Sequence, residues 1–318
     1  MNDLQIILYI IAGAAGLFIG AEGLVKGSSS LAIRFGISPL IIGLTIVAFA
    51  TSSPELVVSI NAAIEGNSGI VVGNVVGSNI CNIALILGVA ALISPIQVKA
   101  QVIKREIPLM IFISFILLLV LVDGSISRWE GAIFVIGIVA YVCLSYLYVK
   151  KDKDDVEIVK EFEEAIKTKP YKTWKSVLLI VGGLGLLIIG SNLFVDGAVE
   201  TAKKFGVSQA VIGLTIVALG TSLPELVTSI VASFKKENDI AIGNAVGSNV
   251  FNILSILGIS SLINPISDSG VTFIDLSIMM FFTILILPLC KSGFVIRRWE
   301  GAILFIGYGV YLVYLIQL

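Results

Sequence analysis

Residues 41–60 read IIGLTIVAFATSSPELVVSI, and residues 211–230 read VIGLTIVALGTSLPELVTSI. The second stretch is the first displaced by 170 positions. The same displacement holds elsewhere without a gap. FGIS (35–38) returns as FGVS (205–208), GNVVGSNICNI (73–83) as GNAVGSNVFNI (243–253), and RWEGAIFVIG (128–137) as RWEGAILFIG (298–307). The chain is therefore one unit written twice, over 1–149 and 175–318, with a linker at 150–174.

Both quoted stretches are apolar over the ~20 residues that a helix needs to cross a bilayer. The whole chain has the same character: 57% of its 318 residues are apolar, 14% are charged, and the mean hydropathy is +1.04. A soluble domain runs at about 45–50% apolar and about 25% charged. That excess excludes a soluble enzyme, a disordered chain and a nucleic-acid binder. Charge is concentrated in one place, since Lys150 to Lys175 holds eight Lys and seven acidic residues. Within it, VEIVKEFEEAIK (156–167) has the spacing of a short interfacial helix, or else forms a solvated linker. The reading is an all-α polytopic membrane protein.

Apolar windows place ten transmembrane helices at 4–25, 39–64, 70–93, 106–123, 129–149, 175–196, 209–234, 240–263, 272–290 and 299–317. The first apolar run is too long for a signal peptide and has no basic segment before it, so a retained helix is expected. Each half holds five spans, an odd number, so the second half enters the membrane from the opposite side. The result is two inverted five-helix repeats related by an axis in the membrane plane. Such an axis exchanges inward-open and outward-open shapes and puts a binding site at the midplane. With the N-terminus outside, 18 of the 21 Lys and Arg lie in inner loops, and only Arg128, Lys203 and Lys204 lie outside. The positive-inside rule then places both termini outside and the 150–174 loop in the cytoplasm.

Two acidic residues sit deep in spans. Glu55 lies ~6 Å beyond the centre of the second span, at 1.5 Å per residue, and Glu225 is placed the same way in the seventh. An ionised side chain at that depth costs at least about 2.5–3.5 kcal/mol. No Lys or Arg occupies the middle of any span to offset it. A cation taken from solution is the simplest counter-charge. Thr51 and Glu55 share a helix face, as do Thr221 and Glu225. Pro54 and Pro224 lack an N–H, which frees the carbonyls of Ala50 and Gly220 and loosens those of Thr51 and Thr221. Carboxylate, hydroxyl and carbonyl oxygens suit a hard ion such as Ca²⁺ or Na⁺. Ser78 with Asn82, and Ser248 with Asn252, add i, i+4 pairs of neutral oxygens near the middles of the third and eighth spans.

Each of these features alone has a plainer reading: a proline kink, back-bonding of Thr51 and Ser52 within their own helix, or interhelical bonding by Asn82 and Asn252. Likewise GxxxG at Gly73/Gly77 and Gly243/Gly247 is first a packing motif. Duplication of the whole set is what favours a site. Trp129 and Trp299 are expected as interfacial anchors, and Glu22 with Lys26 as a surface pair. Cys81, Cys143 and Cys290 stand isolated as small hydrophobes, and the chain has no His.

TSSPEL (51–56), TSLPEL (221–226), GNVVGSN (73–79) and GNAVGSN (243–249) resemble the two alpha-repeats of the calcium/cation antiporter superfamily. The closest likeness is to its prokaryotic sodium/calcium exchanger branch, and it covers essentially all ten spans. The resemblance implies that Glu55 and Glu225, with the carbonyls of Thr51 and Thr221, hold Ca²⁺. It implies Na⁺ sites built from Ser52, Ser78, Asn82, Ser222, Ser248 and Asn252 with the carbonyls of Ala48 and Ala218. It also implies that the first and sixth helices slide across the other eight, and both are glycine-rich (Gly13, Gly16, Gly20, Gly23, Gly27; Gly182, Gly183, Gly185, Gly190, Gly197). Some members carry Asp where this chain has Asn252, which leaves two carboxylates here.

The expected activity is Na⁺/Ca²⁺ exchange by alternating access, with at least two Na⁺ per Ca²⁺, in a prokaryotic plasma membrane. The expected partners are those ions and the bilayer, with the chain working as a monomer and without a cofactor. A Ca²⁺/H⁺ antiporter is the nearest competitor, though such relatives tend to carry a further acid after the GN motif, where VVGSN and AVGSN are neutral. A cation channel fits poorly with an inverted repeat inside one chain. An intramembrane enzyme lacks a base near the Ser and Glu residues.

Overall fold

A computed structural model describes residues 1–149, 170–206, 218–267 and 270–317. The proposed interfacial helix at 156–167 and the first part of the seventh span, 207–217, lie outside the described residues. The elements, in chain order, are α1 (Asp3–Phe35), α2 (Pro39–Thr51), α3 (Ser53–Ile64), α4 (Ser68–Ile93), α5 (Val102–Asp123), α6 (Arg128–Val149), α7 (Thr173–Lys204), α8 (Ala218–Gly220), α9 (Leu223–Phe234), α10 (Asn238–Ile263), α11 (Phe273–Lys291) and α12 (Arg298–Gln317). Two short strands, β1 (Ile96–Gln97) and β2 (Val295–Ile296), complete the set. Among the described residues, seven helices are long and apolar enough to cross a membrane, and an eighth is the bent pair α2–α3. The chain is thus an all-helical, multi-pass membrane protein.

Helix limits repeat at the sequence spacing: Ser53–Ile64 matches Leu223–Phe234, and Ser68–Ile93 matches Asn238–Ile263. The first helix runs about ten residues past its expected end because nothing breaks it before Gly36, which adopts φ 63° and closes the helix. Asn2 and Gln5 start it with reciprocal side-chain bonds to backbone N–H groups of 2.8 and 3.0 Å, satisfying amides a helix start leaves free.

α1 packs along α7 through a seam with no room for side chains. A Cβ added to Gly20 would lie 2.7 Å from the Gly183 carbonyl oxygen, and one added to Gly183 would lie 2.6 Å from that of Gly20. Gly13, Gly16, Gly23, Gly27, Gly190 and Gly197 also meet the facing helix, whereas Gly182 and Gly185 face open space and contribute nothing to this seam. Both ends of the pair are clasped. Asp3 and Met1 meet Lys204 and Glu200 at one end; at the other Ser30 accepts the Tyr171 N–H at 2.7 Å and the Ser176 hydroxyl at 3.1 Å.

The remaining helices form the main apolar core, drawn from both halves. The antiparallel pairing of β1 with β2 sets Ile96 opposite Ile296, and an isolated antiparallel bridge sets Ile126 opposite Ile266. These are the same contact under the 170-residue displacement, about one helix length apart along α5, or ~30 Å. At the α9–α10 connection, Glu22 of α1 pairs with Lys235 at 3.0 Å as well as with Lys26 at 2.8 Å, so it is more than the local surface pair that spacing suggests. Ser29 of α1 donates to Glu237 at 2.8 Å. Burial raises the Glu237 carboxyl above its ordinary range; the Ser29 bond opposes that shift in part.

Candidate functional site

Pro54 and Pro224 each stand in the first turn of a restarted helix, where a missing N–H costs nothing. The chain therefore breaks just before them, at Ser52 (φ −80°, ψ 5°) and Ser222 (φ −89°, ψ 4°). At the first break, α2 and α3 meet at a 45° bend. Each break joins the carbonyl end of one helix to the amide end of the next. Glu55 and Glu225 fall in the first turn of α3 and α9, where the positive end of the helix dipole favours a carboxylate.

The two breaks are bonded crosswise. Ser52 of the first donates to Glu225 at 2.9 Å, and Ser222 of the second donates to Glu55 at 3.1 Å. Ser222 also reaches Ser78 at 3.4 Å, and Thr221 contacts Glu55. Both carboxylates are 1% exposed. Among the described residues no Lys or Arg pairs with either, and no cluster of three or more His, Cys, Asp or Glu exists.

One oxygen of each carboxylate, and three polar oxygens of α4 and α10, have no hydrogen-bond partner. Glu55 Oε2, Glu225 Oε2, Asn82 Oδ1, Asn252 Oδ1 and Ser248 Oγ are buried and receive no hydrogen bond. A buried acceptor without a donor costs about 1–3 kcal/mol, more when charged. Four of the five are carboxylate or amide oxygens, which cannot become donors while ionised or so oriented. Such a donor set fits a hard cation carried as cargo.

The Asn residues reach that arrangement through partners the sequence reading left out. Asn82 donates to Asn249 Oδ1 and Asn252 donates to Asn79 Oδ1, each at 3.0 Å, which turns their own Oδ1 atoms free. Asn79 and Asn249 also exchange side-chain to backbone bonds of 3.4 Å. Asn74 holds the Glu55 carbonyl (3.1 Å) and Ser59 (2.9 Å), and Asn244 holds the Glu225 carbonyl (3.3 Å) and Ser229 (3.1 Å). The signal was present, since all of these are duplicated at the same spacing inside or beside the quoted motifs. Both long helices carry a π-helical stretch here, Cys81–Leu87 and Asn252–Leu257, a local widening common at functional sites.

Three expected ligands stand differently. The Ala48 carbonyl already accepts the Ser52 N–H at 3.0 Å. At Thr51 the expected ligand is the carbonyl; its hydroxyl has the Val47 carbonyl at 3.1 Å and Asn244 Oδ1 at 3.0 Å as alternative acceptors for its one proton. Ala218 opens α8 directly after the undescribed segment. Gly243 and Gly247 do allow close approach, with added Cβ atoms 2.9 Å from the Leu40 carbonyl and 2.5 Å from that of Leu44. The counterpart partner for Gly73 and Gly77 falls in 207–217, outside the described residues.

Crossed helix breaks around paired buried carboxylates, in a multi-pass helical frame, define a membrane transporter of cations. The family model described as sodium/calcium exchanger protein matches residues 5–147 and 175–317, the two halves with the linker left out. The chain belongs to the sodium/calcium exchanger family. It is 43% identical over 308 residues to a putative antiporter CaxA of Alkalimonas amylolytica, covering 95% of this chain and 96% of that one. It is 33% identical over 343 residues to the sodium/calcium exchanger MaX1 of Methanosarcina acetivorans, covering 97% of each. Among solved structures it resembles the sodium-calcium exchanger NCX_Mj with a TM-score of 0.83 and 30% identity, covering 98% of this chain and 99% of that one.

Proposed function

We propose that this chain exchanges Na⁺ for Ca²⁺ across the plasma membrane by alternating access, using ten transmembrane helices arranged as two inverted repeats with both termini outside. The carrying observation is the pair of crossed serine–carboxylate bonds, with one oxygen of each buried carboxylate left unpartnered. Glu55 and Glu225, with the carbonyls of Thr51 and Thr221, take Ca²⁺. Ser52, Ser78, Asn82 and the Ala48 carbonyl, with Ser222, Ser248, Asn252 and the Ala218 carbonyl, take Na⁺. Two ionised carboxylates balance one Ca²⁺ or two Na⁺, so charge balance favours one kind of ion or the other at a time, though their further oxygen ligands differ. The Ala48 carbonyl joins through a second lone pair while it accepts the Ser52 N–H. The α1–α7 pair is the body that moves: the glycine seam and the clasps at both ends hold its two helices to each other, so they travel as a unit.

The test is Ca²⁺ uptake into proteoliposomes under an outward Na⁺ gradient, beside matched K⁺ and pH gradients. Uptake driven by Na⁺ alone is expected. Uptake that follows the pH gradient without Na⁺ would replace this reading with Ca²⁺/H⁺ exchange.

A further inference from the structure

The two halves match so closely that a polar contact found in only one of them has information in it. Ser191, in the middle of α7 and 6% exposed, donates to the carbonyl oxygen of Gly220 at 2.6 Å. That carbonyl is the one left without its helical donor by Pro224, four residues on. It immediately precedes Thr221, Ser222 and the break that presents Glu225. The first half has the same freed carbonyl at Ala50, below Pro54, but position 21, which corresponds to Ser191, is a fully buried alanine. An alanine has no proton to offer.

The approach at Gly220 is close enough to make this bond directional. A Cβ there would lie 2.6 Å from Val195 Cγ2 of α7, so the backbone of α8 rests directly on that helix. Among the described residues, the other side-chain bonds from the α1–α7 pair to the rest of the molecule, Glu22–Lys235 and Ser29–Glu237, also reach the α8–α10 segment. The moving pair is thus tied to the second half's broken helix, and Ser191 is the tie next to the ions.

We propose that Ser191 is a positioning residue for ion binding: its hydroxyl draws the Gly220 carbonyl toward α7 and so links the place of the α1–α7 pair to the shape of the second break, with no counterpart in the first. The proposal rests on the alternating-access reading above. The bond holds Thr221 and Ser222 where Ser222 meets Glu55. Ion affinity, more than maximal turnover, should therefore depend on it.

The experiment compares wild type, Ser191→Ala and Ser191→Thr in reconstituted Ca²⁺/Ca²⁺ exchange over a range of Ca²⁺ concentrations. The Ca²⁺-induced shift in melting temperature of the detergent-purified proteins is measured alongside. Ser191→Ala should raise the half-saturating Ca²⁺ concentration about fivefold, the size of one lost hydrogen bond, with maximal rate changed less than about twofold. Its Ca²⁺-induced melting shift should fall in parallel, and Ser191→Thr, which keeps the hydroxyl, should recover most of both. Unchanged half-saturation in Ser191→Ala, a loss confined to maximal rate, or a Ser191→Thr no better than Ser191→Ala overturns the proposal. If wild type does not exchange Ca²⁺ at all, the transport reading falls instead, and the melting shifts alone decide the role of Ser191.

Discussion

The α4–α10 pair and the α1–α7 pair are both made of matched helices from the two halves, yet they are built on opposite principles. In their most apolar stretches α4 and α10 are 72% and 83% buried, and α1 and α7 only 28% and 22%. The first pair is joined by amide-to-amide bonds of 3.0 Å among Asn79, Asn82, Asn249 and Asn252. The second meets along glycines and is bonded side chain to side chain only toward its ends. Directional bonds inside a dry core fix a register. A seam of backbone against backbone fixes a short distance between two helices, and the bonds at its ends hold them together. On the proposed function, the first pair is the part that holds ions and the second the part that moves past it.

The most severe test is at the charges of α3 and α9, the helices that precede the first pair in each half. Glu55→Gln or Glu225→Gln should each abolish Ca²⁺ exchange, a loss of at least about a hundredfold, because one carboxylate cannot balance a divalent ion; flux in proteoliposomes reads it. Near-normal uptake by both variants would remove these residues from the site. Next, Asn79→Ala strands the Asn252 amide and should cost about 1–3 kcal/mol, seen as a lower melting temperature. Adding Asn249→Ala should produce a non-additive loss if the four amides act as one network.

The α1–α7 side of the comparison is sharpened by two neighbouring glycines. Gly183→Ala forces the seam apart and should cost about 1–3 kcal/mol with slowed exchange. Gly182→Ala meets open space and should be neutral or stabilise by up to about 1 kcal/mol. Equal effects would mean that the seam is not tight. A smaller effect is expected at Glu237, whose carboxyl is raised from the ordinary 4.5 by burial. Its folded form keeps the proton longer than the unfolded chain does. Stability is therefore full below about 4.5 and declines as pH rises through the raised value. Glu237→Gln should flatten that decline in a pH series of melting curves. Smallest of all, Glu22→Gln or Lys235→Gln removes a half-exposed pair and should change stability by under about 1 kcal/mol; a double-mutant cycle measures it.

Much of this contrast was legible before any coordinates. The 170-residue displacement located both broken helices, both carboxylates and both serines that cross between them. Proline chemistry explains why, since a residue without an N–H marks where a helix must restart. What stayed hidden was partnership. Asn74, Asn79, Asn244 and Asn249 occur in the motifs, but whether an amide offers oxygen to an ion or nitrogen to a neighbour depends on a residue ~170 positions away in the folded chain. Apolar windows also underestimated α1, because Ser28, Ser29 and Ser30 look like a loop and are instead buried against other helices. The glycines of α7 divide into those that touch and those that do not, a distinction set by helix phase relative to a partner.

The Ile96–Ile296 and Ile126–Ile266 pairings have a consequence for assembly. Each half supplies one edge to the other at two levels of the molecule, like a belt with a second buckle worn the other way round. A half synthesised alone would leave both edges open, whereas two fragments divided in the linker and made together carry matching fasteners.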